Sequence, residues 1–183
     1  MRTRRFGWTF LSAFALLVAG CGGTAAADTD AVAWTDEVCG ALSGFTVAAT
    51  KQPAVDRTNA ATAVTGVSDY LAATSDGLQQ SIDALGAVRP SPVDGGDEYV
   101  SRLEDALVRI RTSFEAARSQ LASLDTSRPD VLATALPAAT APLQELRTMP
   151  SPTEGLRAND ALRAASEQAP NCERLRSVSS PAG

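Results

Sequence analysis

The chain contains no histidine. That absence removes the base of every Ser-His-Asp or Cys-His site and takes the main nitrogen ligand from zinc sites of the usual kind. The three cysteines include no CxxC spacing, which argues against a redox or metal motif. Neither Gly22-Gly23 nor Gly95-Gly96 is followed by GK[ST], so no phosphate-binding loop is written here. Asp94-Gly-Gly-Asp97 lacks the acid spacing and closing Glu of a calcium-binding EF-hand. A turn leading into a helix N-terminus explains it. No alternating strand pattern and no internal repeat appears.

Lysine is nearly missing as well; Lys51 stands beside 15 arginines. Three of those arginines, Arg2, Arg4 and Arg5, open the chain, and Phe6 to Ala19 then carry no charge. That apolar run falls short of the roughly 20 residues a membrane span needs. A positive start, a short apolar core and small residues before a cut form the pattern of an export signal. Val18-Ala19-Gly20-Cys21 resembles a bacterial lipobox, with Leu16 and Leu17 leading into it. The resemblance implies cleavage after Gly20 and diacylation of the Cys21 thiol. The competing reading is ordinary secretion with a cut near Ala25–Ala27; it leaves a cysteine directly after the apolar core without a purpose. Arg4-Arg5 suggests twin-arginine export, but Gly7 stands where that signal has a bulky apolar residue.

Removing residues 1–20 leaves 13 bases against 21 acids, a net charge of −8. Nucleic-acid binding needs a basic surface that displaces counterions, so the mature chain argues against it. Membrane contact is expected through the anchor at Cys21 alone. Met149 would be the one methionine left to ligate copper or haem once Met1 departs, and no cofactor or metal is expected. Cys39 and Cys172 remain as an even pair in an oxidising compartment, where a disulfide is the default.

Residues 21–29 are small and polar and read as a flexible tether of at most about 30 Å. From residue 30 to 178 the apolar period is helical. Trp34, Val38, Ala41, Leu42 and Phe45 make one face of a helix over Asp30–Val47, ended by Lys51-Gln-Pro53. Val64, Val67, Leu71, Thr74, Leu78, Ile82 and Leu85 make the face of a second over Asp56–Gly86. Gly66 and Gly77 weaken this helix by about 1 kcal/mol each against Ala, or else admit a close neighbour. Arg89-Pro-Ser-Pro-Val-Asp-Gly-Gly96 breaks the chain.

A third helix over Asp97–Leu124 is the most regular. Val100, Leu103, Leu107, Ile110, Phe114, Ala117, Leu121 and Leu124 alternate in steps of three and four, a heptad seam. Such a seam can join copies of a chain, but other apolar helices need cover here, so internal packing and a monomer are expected. Glu98–Arg102 and Asp105–Arg109 are acid-before-base pairs at i,i+4, and Arg111 is expected outside. A fourth helix starts near Pro129 and is interrupted by Pro137 and Pro142. Ser151-Pro-Thr-Glu154 writes a capping box for a fifth, shorter helix. Its stripe is Leu156, Leu162 and Ala165 or Ala169, and Pro170 stops it. Cys172 and Leu175 then dock the end, and residues 179–183 read as a disordered tail. The fold expected is all-α: an antiparallel bundle of four main helices plus a fifth short one, with a terminal disulfide.

Paired carboxylates occur at Asp97/Glu98 and Glu104/Asp105. A glycosidase needs two carboxyl groups converging in a cleft, whereas acids at a helix start serve the helix dipole. Trp34 lies on an apolar face and reads as core. No catalytic residue is assigned, and the protein is read as a non-enzyme. Trp34-Thr-Asp-Glu-Val-Cys39-Gly-Ala-Leu42, with another cysteine near the end, resembles small helical secreted proteins and lipoproteins common in actinobacteria. The resemblance implies an envelope-exposed helical bundle closed by a terminal disulfide, and it implies no activity. The function expected is a membrane-anchored interaction module that meets an envelope protein or glycan. The alternative is a carrier of a lipophilic small molecule, with Pro137 and Pro142 opening a pocket between helices.

Overall fold

The computed structural model describes residues 28–51, 59–127, 137 and 154–179. The signal peptide over 1–20, Cys21, most of the tether, residues 180–183 of the tail and nearly all of the fourth helix lie outside these residues. So do Pro142 and the capping residue Ser151.

The elements are α1 (Thr29–Ala41), α2 (Ser43–Ala49), α3 (Ala60–Gly86), α4 (Gly96–Ala122), α5 (Glu154–Ala158), α6 (Asp160–Gln168) and α7 (Pro170–Ser179). The protein is mostly helical, and no strand occurs among the described residues.

Asp28, counted with the tether in the sequence, is the N-cap of α1; its Oδ1 accepts from the Asp30 amide at 2.8 Å. The first helix does not run unbroken to Val47. It ends at Ala41 and resumes as α2 at Ser43. Gly40, Ser43 and Gly44 are weak helix formers, and α3 supplies what the break removes: the Phe45 amide donates to Ser81 Oγ at 3.1 Å. The bend lays α2 along α3. Gly77 makes that approach possible, since a Cβ there would stand 2.9 Å from the Ala48 Cβ and from the Gly44 carbonyl oxygen.

Asn59 caps α3, its Oδ1 accepting from the Thr62 amide at 3.1 Å. The apolar face of α3 is the one its period predicts. Val64, Leu71, Thr74, Leu78 and Leu85 are buried, with Val67 and Ile82 partly so.

In α4 the seam holds at Leu103, Leu107, Ala117 and Leu121, all buried. Val100, Ile110, Phe114 and Leu124 lie at its margins, while Tyr99 and Ala106 are buried outside it. The cause is the mismatch between 3.6 and 3.5 residues per turn. A nearly straight helix drifts about 20° per heptad against its seam, so the buried face turns along its length. Glu98 and Arg102 pair at 2.7 Å as expected. Arg111 does not stand free on the outside: its side chain is 29% exposed and pairs with Glu115.

The fifth helix is two short ones, α5 and α6, and the segment that docks through Cys172 is a further helix, α7. Asn159 interrupts it and caps α6, accepting from the Ala161 and Leu162 amides. Ala169 is extended, as a residue before proline prefers. Pro170 stops α6 as predicted and also opens α7, where the missing amide hydrogen costs nothing.

Among the described residues two apolar clusters result. The larger joins Trp34, Val38, Leu42, Leu78, Leu85, Tyr99, Leu103, Leu107, Leu156 and Leu162 around the disulfide; the smaller joins Val64, Leu71, Ala117 and Leu121. Phe114 touches both. The seam of α4 is therefore packed within the chain, chiefly against α3.

Candidate functional site

Cys39 and Cys172 form a disulfide across 133 residues of sequence. Both are buried, at 2% and 3% exposure. The bridge ties α1 to α7, and a second set of bonds repeats that tie beside it. The Asn171 amide donates to Asp36 Oδ1 at 2.6 Å, and Asn171 Nδ2 donates to Asp36 Oδ2 at 2.9 Å and to the Asp36 carbonyl at 3.1 Å. Asp36 lies one turn before Cys39, and Asn171 directly precedes Cys172. Sequence reasoning did not name this pair. The signal available was position, since each polar residue flanks one of two distant cysteines.

Trp34 is fully buried, and its Nε1 donates to the Arg89 carbonyl at 2.9 Å. It is a core residue with its one polar atom satisfied, not a surface contact. Its ring also explains Gly96: a Cβ there would fall 3.1 Å from the ring and collide with Ser91. Gly95 adopts a left-handed conformation, φ 76°, which glycine accepts without strain. Asp97 Oδ1 accepts from the Ser91 amide at 2.7 Å, and Asn159 Nδ2 donates to the Asp94 carbonyl at 2.9 Å. Asp94-Gly-Gly-Asp97 is thus a turn closed onto α6 and a helix start.

One acid of each α4 pair, Asp97 and Glu104, lines a single groove beside α3. Glu98 is engaged by Arg102, and Asp97 by the Ser91 amide. Among the described residues no group of three Cys, Asp or Glu side chains is placed to hold a metal ion. Tyr99 is buried against Gly155, where a Cβ would stand 2.6 Å from the ring. Burial pushes its phenol well above the usual tyrosine range.

Two solvent-open depressions mark the surface near the α3 C-terminus. One, about 280 Å³, lies between α3 and α4 and is lined by Leu85, Arg89, Asp97, Val100, Ser101 and Glu104 among others. The other, about 320 Å³, lies between α1 and α3 and is lined by Glu37, Gly40, Ala41, Ala84, Ala87 and Val88. Both are shallow grooves and not enclosed cavities.

Among the described residues no helix is long and apolar enough to cross a membrane. Comparison with protein-family models, with curated proteins and with solved structures finds no match.

Proposed function

We propose that this chain is a membrane-anchored lipoprotein of the cell envelope whose helical domain is a non-catalytic interaction module. The carrying observation is the pairing of Cys39 with Cys172 in the core. A buried disulfide suits an oxidising compartment, and it leaves Cys21 as the one thiol without a structural task. Cys21 stands where a lipobox places the acylated residue. Export, lipid attachment and the bridge then assign all three cysteines.

The architecture that goes with this reading is an antiparallel four-helix bundle in which α1–α2, α3 and α4 are joined by the helix expected from near Pro129. The short helices α5 to α7 pack against it. The partner is a protein or a glycan at the membrane surface, met by a monomer. The mature charge of −8 supports no nucleic-acid role.

The test combines fractionation with crosslinking in intact cells. The wild-type chain is expected in the membrane fraction, and Cys21→Ser is expected in the medium or as an uncut precursor. A reproducible crosslinked protein or glycan supports the module. A co-purifying lipid in native mass spectrometry, with no crosslinked partner, overturns it in favour of a carrier.

A further inference from the structure

We infer that the domain is held end-on to the bilayer, with the α3–α4 turn toward the lipid and the α3 N-terminus with the α4 C-terminus presented outward. The inference rests on the anchor reading above and adds to it which end of the module a partner can meet.

Trp34 is the sixth residue of α1. Its Nε1 is bonded to the Arg89 carbonyl just past α3, and its ring sits against Gly96 at the start of α4. Asn159, the cap of α6, reaches the same turn through the Asp94 carbonyl. The N-termini of α1, α4 and α6 therefore gather at one end. Further along, Phe45 meets Ser81 and Ala49 meets Tyr70, so α1–α2 runs antiparallel to α3. The far end is closed by Val64, Leu121 and Leu124.

Length then separates the two ends. The 27 residues of α3 span about 40 Å. Seven peptide steps join Cys21 to Asp28, at most about 25 Å of chain. An acyl group on Cys21 keeps the α3–α4 turn near the membrane, and the far end comes as close only if the domain lies on its side.

Charge opposes one such posture. Asp69, Asp76 and Asp83 recur every seven residues along α3, and all three are exposed. α3 contains no basic residue, and among the described residues none of these three joins an ion pair. Laid on an anionic lipid surface, this stripe is repelled along its whole length. The end at the α3–α4 turn is itself acidic, with Asp28, Asp30, Asp94, Asp97 and Glu98 exposed, so the tether and not charge keeps that end nearest the lipid. The α4 and α6 sides carry paired charges at Arg102, Arg111 and Arg163.

The full chain, expressed in a bacterial host and purified from its membranes, is placed in nanodiscs of phosphatidylcholine and phosphatidylglycerol carrying a trace of gadolinium-chelate lipid. Relaxation of the backbone amides is then measured. Enhancement is expected to be strongest at Asp94–Glu98 and Thr29–Asp30, and to fall several-fold by Val64 and Leu121–Leu124. A flat profile along α3, or a reversed one, overturns the end-on posture even when intact mass shows a diacylglyceryl group on Cys21. An intact mass without that group overturns the anchor reading and this inference together, so the two failures are told apart.

Discussion

Asn171 is held against Asp36 by three hydrogen bonds, one from its backbone amide and two from its side chain. Asp36→Ala removes both carboxylate acceptors and keeps the carbonyl contact to Asn171 Nδ2, while Asn171→Ala removes the two side-chain bonds and keeps the backbone amide contact. Hydrogen bonds to a charged group contribute about 1.5–3 kcal/mol. Asp36→Ala is expected to cost about 2–3 kcal/mol in urea unfolding and Asn171→Ala about 1–2 kcal/mol. Equal costs would show that the backbone amide bond to the carboxylate contributes no more than the Nδ2 bond to the carbonyl.

The Cys39–Cys172 bridge closes a loop of 133 residues. In the chain-entropy model such a loop accounts for about 5 kcal/mol, most of it by restricting the unfolded chain. Cys39→Ala with Cys172→Ala should therefore lower the unfolding free energy by a few kcal/mol and raise the urea m-value, since the unlinked chain exposes more surface. Alkylation without reductant followed by intact mass should find neither thiol in the exported wild-type protein.

Gly77 and Gly86 should answer oppositely to alanine. At Gly77 the new Cβ meets Ala48 and the Gly44 backbone at 2.9 Å, so α2 must move; a loss of about 1–3 kcal/mol is expected. At Gly86 the nearest atom, Glu104 Oε1, is 3.6 Å from the new Cβ. There the helix preference of alanine should add up to about 1 kcal/mol. Thermal unfolding of the two variants side by side checks the signs.

Tyr99 is neutral in the fold because burial disfavours the phenolate. In the unfolded chain it ionises near the ordinary value of about 10. Above that pH the unfolded state holds fewer protons than the native state, so stability falls as pH rises. The contribution is complete below pH about 10 and lost above it. Tyr99→Phe should flatten that alkaline decline, measured as unfolding free energy from neutral pH upward; an unchanged decline would place its cause elsewhere.

Leu107 is 1% exposed at the centre of the larger cluster. Leu107→Ala is expected to cost about 2–5 kcal/mol, and Arg109→Ala, on the exposed side of the same helix, less than about 0.5 kcal/mol. Denaturant titration of both variants tests whether the α4 seam faces inward.

The helices could be read from the sequence because their apolar spacing is a local property. Leu71, Leu78 and Leu85 share a face whatever packs against them, although the start read at Asp56 falls instead after the cap at Asn59. The cysteine pairing was legible by elimination. What could not be read depends on distant partners. The break at Leu42 exists because Ser81 takes the Phe45 amide and Gly77 admits α2. The burial of Tyr99 exists because Gly155 makes room for its ring. The Asp36–Asn171 contact joins residues 135 positions apart, and no period along the chain encodes it. Local spacing determined which residues turn inward; tertiary packing decided where those helices bend and which polar atoms meet, because each such contact needs a second surface.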